Sequence, residues 1–226
     1  MYDPDSPGIV EIQRLFKTLF GKAGSSSGLT SLMVTSPMPQ EGKSILVGTL
    51  ALIAAHANLR TLVLDADLRR PAQHHLFPTP PVPGLSDYLL NDVEFDQAIH
   101  NTAQENLKLI PCGSRISAPG GLLYSKTPDI KALLDQCHAN FEVVLVDVPP
   151  VVPVNDAELI GSLIDGVALV VKAGKTYQEI IERALGLLQR ANCNVLGMVL
   201  NNVTRALPYH YEHQYHQYRP GPIWAE

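Results

Sequence analysis

The residues best suited to chemistry lie between Leu32 and Ser44 and at the ends of two apolar runs further along the chain. The working part of the first stretch is Pro39, Gln40, Glu41, Gly42, Lys43, Ser44. An apolar, β-prone run (Leu32, Met33, Val34) leads into it, and an Ala/Leu/Ile-rich segment, 45–57, follows and reads as a helix. A strand, a tight turn ending in Gly-Lys-Ser and a helix together make a phosphate cradle. Backbone N–H groups and the helix N-terminus face the phosphates, the lysine reaches the β- and γ-phosphates, and the serine hydroxyl reaches Mg²⁺. The usual first glycine of the pattern falls on Pro37. A chance Gly-Lys-Ser at a helix start is the competing reading, and the residues downstream weigh against it.

Residues 61–64 form a second short apolar strand, ending in Asp65, Ala66, Asp67, Leu68, Arg69, Arg70, Pro71. Carboxylates at i and i+2 on a strand end point the same way. Ligands of open α/β sheets bind beyond the carboxyl ends of the strands, so these acids belong near the phosphate loop. The competing reading makes Asp67 a helix N-cap. Residues 143–146 are the most apolar strand and run into Asp147, Val148, Pro149, Pro150. Such an uninterrupted run is buried on both faces, as in a parallel sheet, and Asp147 at its end is a metal-side carboxylate. One lysine, one serine and three strand-end acids around a phosphate site support binding of ATP with Mg²⁺. They do not say what receives the phosphate.

The elements that must position these groups alternate strand and helix. Residues 107–111, 166–171 and 195–200 read as further strands, the last two buried, with a helix at 177–191 between them. Shorter helices are expected at 85–90 and 128–138, a proline-rich loop at 78–83 and a flexible loop at 114–121. The alternation is βαβ throughout, which predicts an α/β fold, a doubly wound, mostly parallel sheet of the P-loop NTPase kind. Residues 9–20 carry apolar residues at helical spacing (Ile9, Ile12, Leu15, Phe16, Leu19). Glu11, Arg14 and Lys17 fall on another face, either a solvated face with local ion pairs or an intersubunit contact. A Gly/Ser linker, 21–28, separates this helix from the core and leaves it able to dock on a neighbouring molecule. The expected organisation is an N-terminal helix and linker over 1–28, a nucleotide-binding domain over 29–207, and a tail over 208–226.

That tail changes character. Tyr209, Tyr211, Tyr215 and Tyr218, half of the chain's eight tyrosines, are mixed with His210, His213 and His216. It has no apolar period, is followed by Pro220, Gly221 and Pro222, and reads as mobile. It suits a sticky aromatic segment, a loose histidine metal cluster, or a set of tyrosines that are chemical acceptors. The totals bound the rest. At 226 residues the chain is one domain with tails, and a formal charge of −5 argues against a general nucleic-acid binder. There is no signal peptide, and the longest apolar run is too short to span a bilayer, so membrane association is expected to come from a partner. Cys112, Cys137 and Cys193 are far apart, lack metal spacing and read as reduced cysteines of a cytoplasmic protein.

Taken with their order, these motifs resemble the bacterial tyrosine kinases, the cytoplasmic autokinase domains of capsule and exopolysaccharide export systems. The family's first motif ends Pro-Gly-x-Gly-Lys-Ser/Thr, here Pro39-Gln40-Glu41-Gly42-Lys43-Ser44. Its second is an apolar run and Asp-x-Asp-x-Arg, here Leu62-Val63-Leu64-Asp65-Ala66-Asp67-Leu68-Arg69, continued by Arg70-Pro71. Its third, an apolar run and Asp-x-Pro-Pro, is matched by residues 144–150. The phrases Gly84-Leu85-Ser86-Asp87, Pro153-Val154-Asn155-Asp156-Ala157 and Ala173-Gly174-Lys175-Thr176 match as well. The likeness covers residues 9–218, and the second motif combined with the tyrosine tail is its most specific part.

The resemblance implies a set of roles. Lys43 binds the β- and γ-phosphates within the loop Pro39 to Ile45, while Ser44 and Asp67, and Asp147 through water, hold Mg²⁺. Asp65 orients or deprotonates the incoming tyrosine hydroxyl. Arg69 steadies the loop or the phosphates, and Asn201 contacts the adenine. Tyr209, Tyr211, Tyr215 and Tyr218 become the phosphoacceptors, offered to a neighbouring subunit in a homo-oligomeric ring. Glu11, Arg14 and Lys17 match the family's Glu-x-x-Arg-x-x-Arg intersubunit motif, with Lys17 lacking the bidentate fork of arginine. A membrane-bound polysaccharide co-polymerase supplies an activating segment, which places the kinase at the inner face of the plasma membrane. Gln40 departs from the family's loop glycine and Pro37 from a small residue; if the loop needs a positive φ at position 40, Gln40 is strained there. Two rivals follow: an ATP-binding structural regulator of polysaccharide chain length, its kinase activity weakened by those departures, and a partition- or division-site ATPase of the ParA/MinD type. The latter carry a signature lysine where this chain has Met38, and they lack a tyrosine cluster.

Overall fold

A computed structural model describes residues 6–21 and 28–203. The elements, in order, are α1 (Pro7–Phe20), β1 (Ser31–Thr35), α2 (Lys43–His56), β2 (Thr61–Asp65), α3 (Gln73–Leu76), α4 (Leu85–Leu89), α5 (Phe95–Ala98) and β3 (His100–Asn101). There follow β4 (Leu107–Ile110), α6 (Pro119–Ser125), α7 (Thr127–Asn140), β5 (Val143–Asp147), α8 (Asp156–Gly161), β6 (Gly166–Lys172), α9 (Gln178–Arg190) and β7 (Val195–Asn201). The seven strands form one sheet in the order β3-β4-β2-β5-β1-β6-β7, parallel except for the antiparallel β3–β4 pair.

Alternation of side chains across the sheet explains why the central strands are apolar without interruption. Val144 and Val146 of β5 face a core layer with Ile130 and Leu133 of α7, whereas Val143 and Leu145 face α2 and α1. Each face is covered by helices, so neither can be polar. On the α2 side, Phe16 and Phe20 of α1 stack with ring centroids 5.2 Å apart and bury themselves against the same layer as Leu50. Phe20 is almost fully buried, which is worth about 1.5–3 kcal/mol. The helix expected to stand apart beyond a linker therefore packs on its own core. Glu11, Arg14 and Lys17 are left on its exposed outer face.

Register sets the height of the site. Asp65 at the end of β2 lies directly beside Asp147 at the end of β5, and Val34 of β1 pairs with Asp147 as well. β1 lies between β5 and β6; the chain leaves β1 toward β2 on one side, and β5 crosses to β6 on the other. The crevice beyond the strand ends opens at that reversal.

Several expectations are corrected. The βαβ alternation breaks where the short β3 returns antiparallel to β4. The segment 114–121, read as a loop, ends in α6, with Pro119 in its first turn, where the missing N–H costs nothing. The short helices α3, α5 and α8 carry too few residues to show a period. β7 is not buried: it is the sheet edge, with Leu196, Met198 and Leu200 each more than two-fifths exposed. Its composition is that of the central strands, but among the described residues only β6 pairs with it. The tyrosine tail and the linker fall outside the described residues.

Candidate nucleotide site

The loop between β1 and α2 is built on two left-handed residues, Gln40 (φ +64°) and Gly42 (φ +98°). At Gly42 the positive φ strains any other residue, and a Cβ there would also displace the side-chain amide of Asn201. That amide donates to the Glu41 carbonyl at 2.8 Å and ties the end of β7 to the loop. Gln40 takes a conformation that costs an L-residue, as its departure from glycine predicts. Pro39 and Gln40 are exposed at the tip, and so is Ile45 in the first turn of α2. Glu41 turns inward instead. Its carboxylate accepts the Met38 N–H at 3.0 Å and the Thr176 hydroxyl, bracing the loop from within. α2 begins at Lys43, so the lysine and Ser44 occupy its first turn, where unpaired N–H groups and the helix dipole favour an anion.

Below the loop the charged groups form one knot. The Lys43 ammonium donates to Asp67 Oδ2 at 2.9 Å, to Asp147 Oδ1 at 3.2 Å and to the Ser44 hydroxyl at 3.2 Å. Burial works against the ammonium, but the charges of Asp147 and Asp67 outweigh it and the Lys43 pKa is raised. Burial raises the Asp147 pKa despite the opposing pull of Lys43. Asp67 also closes a turn by accepting the Arg70 N–H at 2.9 Å. The competing cap reading is thereby settled differently. Asp65, not Asp67, holds the start of α3, accepting the N–H groups of Ala72 (3.0 Å) and Gln73 (2.9 Å). Asp65 is fully enclosed, and burial followed by the charge of Asp147 pushes its pKa up to about 7.

Arg69 pairs with an acid outside the loop. It forms a fork on Asp156 at the start of α8, Nε to Oδ2 at 3.0 Å and Nη2 to Oδ1 at 3.2 Å, and so pins the segment that carries Asp67. The structure thus brings Lys43, Ser44, Asp67 and Asp147 together, sets Asp65 beside Asp147 in register with it, and uses Arg69 and Asn201 to hold the surrounding loops. On the outer face of α1, Glu11 and Arg14 pair at 2.5 Å. Gln73 was not found from the sequence. It is fully buried, and its side-chain amide donates to Asp147 Oδ2 at 2.7 Å and to the Ser44 carbonyl at 3.1 Å.

The donor set suits a small hard cation. Asp67 and Asp147 converge on an ammonium that already fills the place of a positive ion, with the Ser44 hydroxyl alongside. No group of three or more His, Cys, Asp or Glu side chains among the described residues could enclose a metal. A site offering few protein oxygens fits Mg²⁺, which keeps water and substrate phosphates as its other ligands.

No protein-family model matches the chain. Curated relatives do. The tyrosine-protein kinase YwqD of Bacillus subtilis is 32% identical over 206 residues, 91% of this chain and 85% of that protein. The tyrosine-protein kinase Etk of Escherichia coli is 29% identical over 203 residues, 90% of this chain but 28% of the longer Etk. Among solved structures, the kinase domain of Escherichia coli ETK superposes with a TM-score of 0.83 at 28% identity, covering 92% of this chain and 81% of that one. The septum site-determining protein MinD of Pyrococcus horikoshii, solved with Mg-ADP, reaches 0.67 at 18% identity, covering 82% and 76%, a likeness of fold alone.

Proposed function

The chain belongs to the bacterial tyrosine-protein kinases, and from that premise we propose that it phosphorylates the tyrosines of its own C-terminal tail, between subunits, with ATP and Mg²⁺ as cofactors. The observation that carries the reading is the knot of Lys43, Ser44, Asp67 and Asp147 beneath a helix N-terminus. Lys43 would turn from the two carboxylates to the β- and γ-phosphates, and Ser44 and Asp67, with Asp147 through water, would hold the cation. A Mg²⁺ ion held by these residues would supply the positive charge that phosphoryl transfer needs. The helix N-terminus and loop N–H groups fix those phosphates in line. A tyrosine oxygen forms the new P–O bond as the β–γ bridging bond breaks and ADP departs. The tyrosine proton passes to Asp65, whose Oδ2 accepts the N–H groups of Ala72 and Gln73 and whose Oδ1 accepts that of Asp67 at 3.3 Å. In this reading Asn201, whose amide donates to the Glu41 carbonyl, contacts the adenine.

Tyr209, Tyr211, Tyr215 and Tyr218 are the proposed acceptors. Each phosphate adds about −1.5 to −2 charge, so a phosphorylated tail repels itself and leaves its neighbour's site. Glu11, Arg14 and Lys17 offer an exposed polar face for the next subunit of a ring. No helix among the described residues is long and apolar enough to cross a membrane. In this reading the kinase sits on the cytoplasmic face through a membrane-bound polysaccharide co-polymerase, whose capsule or exopolysaccharide export it regulates.

The test is to incubate the purified chain with Mg·ATP, with and without the activator's cytoplasmic segment, and to map phosphotyrosine by mass spectrometry. Label on the four tail tyrosines, lost in Lys43→Met, is the expected result. ATP binding without any labelled tyrosine, even with the activator, would overturn it in favour of the structural regulator. Gln40, held at φ +64°, is the observation that favours that second reading.

A further inference from the structure

Among the described residues, Gln73 is the one fully buried polar side chain that touches the site without belonging to any motif that led to it. Its backbone N–H donates to Asp65 Oδ2, and its side-chain amide nitrogen to Asp147 Oδ2 and to the Ser44 carbonyl. One residue thereby links the ends of β2 and β5 to the first turn of α2. The bond to Asp147 matters most. It occupies Oδ2 and so leaves Oδ1 as the oxygen that faces Lys43. The other end of the same amide has no partner among the described residues: Gln73 Oε1 is buried, near Gly48, Leu76 and Phe77. An orphaned buried acceptor is unfavourable, and a residue kept only for packing would be better as an apolar isostere. The bonds this amide makes come from its nitrogen.

We propose that Gln73 is a positioning residue for the metal site: by holding Asp147 Oδ2 it presents Oδ1 to the cation that accompanies the nucleotide. The inference rests on the nucleotide-and-Mg²⁺ reading above. An outer hydrogen bond to a ligating carboxylate typically sets metal affinity by about ten- to a hundredfold.

The experiment measures binding of a fluorescent ADP analogue to the full chain in Mg²⁺ and in EDTA, together with the thermal midpoint. Wild type is expected to bind more tightly in Mg²⁺. Gln73→Met, which removes the orphan and keeps the volume, should lose about ten- to a hundredfold of that metal-dependent gain. Its affinity in EDTA should not change, and its thermal midpoint should hold or rise. Gln73→Asn keeps the amide but withdraws it by one methylene, and should lose the gain too; it reads the same question if the Met variant does not fold. In an Asp147→Asn background, Gln73→Met should have no further effect on the gain, because it acts through that carboxylate. An undiminished gain in the folded variants, or an equal loss in the Asp147→Asn background, overturns the inference. Wild type binding no nucleotide would sink the nucleotide reading, and equal binding in Mg²⁺ and EDTA the metal reading; the inference would go with either.

Discussion

Gln40 holds φ at +64° at the tip of the phosphate loop, where only glycine is at ease. Gln40→Gly should stabilise the protein by about 1 kcal/mol and raise its thermal midpoint by about 2–4 °C. Nucleotide affinity should stay level or improve, and a lowered midpoint would show that the Gln40 side chain contributes something the loop needs. Lys43 is a different case. Its removal leaves Asp67 and Asp147, both almost fully buried, without their cation. Lys43→Met should therefore destabilise the nucleotide-free protein by about 3 kcal/mol, measured by denaturant melts, besides abolishing phosphotransfer. Asp65 makes stability depend on pH. Its carboxyl is raised from 3.8 to about 7 in the fold, so between those values the folded chain holds a proton that the unfolded chain has released. Stability from this group is full below pH ~4 and is lost as pH rises through ~7. Asp65→Asn should flatten that slope in EDTA, and an unchanged slope would assign it to another group.

At the scale of elements, the sheet was largely legible. Residues 143–146 are apolar on both sides of the pleat because α7 covers one face and α2 the other. Residues 195–200 have the same composition and lie at an open edge. Composition reports that a strand forms but not how many neighbours it finds. The acids at 65, 67 and 147 were legible because strand-end spacing is local. Gln73 was not, since its partners lie 29 and 74 residues away and its helix is a single turn. Arg69 was identified without its partner. Its fork on the enclosed carboxylate of Asp156 clips the β2–α3 segment to α8. Arg69→Lys keeps the charge but loses the fork, and should cost about 1–2 kcal/mol in denaturant melts. No loss would show that the charge alone holds the segment.

For the whole molecule the decisive contrast is between fold and assembly. The Glu11–Arg14 pair is more than half exposed on both sides, and such pairs add at most about 1 kcal/mol to a fold. Arg14→Ala should therefore leave the thermal midpoint within a few degrees. By light scattering it should nevertheless reduce the oligomer, and an unchanged oligomer would remove this face from the interface. The knot around Lys43 bears on how buried charge is balanced below the loop. A dissolved ion would reach Asp67 and Asp147 only at the level its surroundings supply, whereas an ammonium tethered on the adjoining helix is present at a fixed effective concentration. The chain thus carries on its own helix the counter-ion of two buried carboxylates.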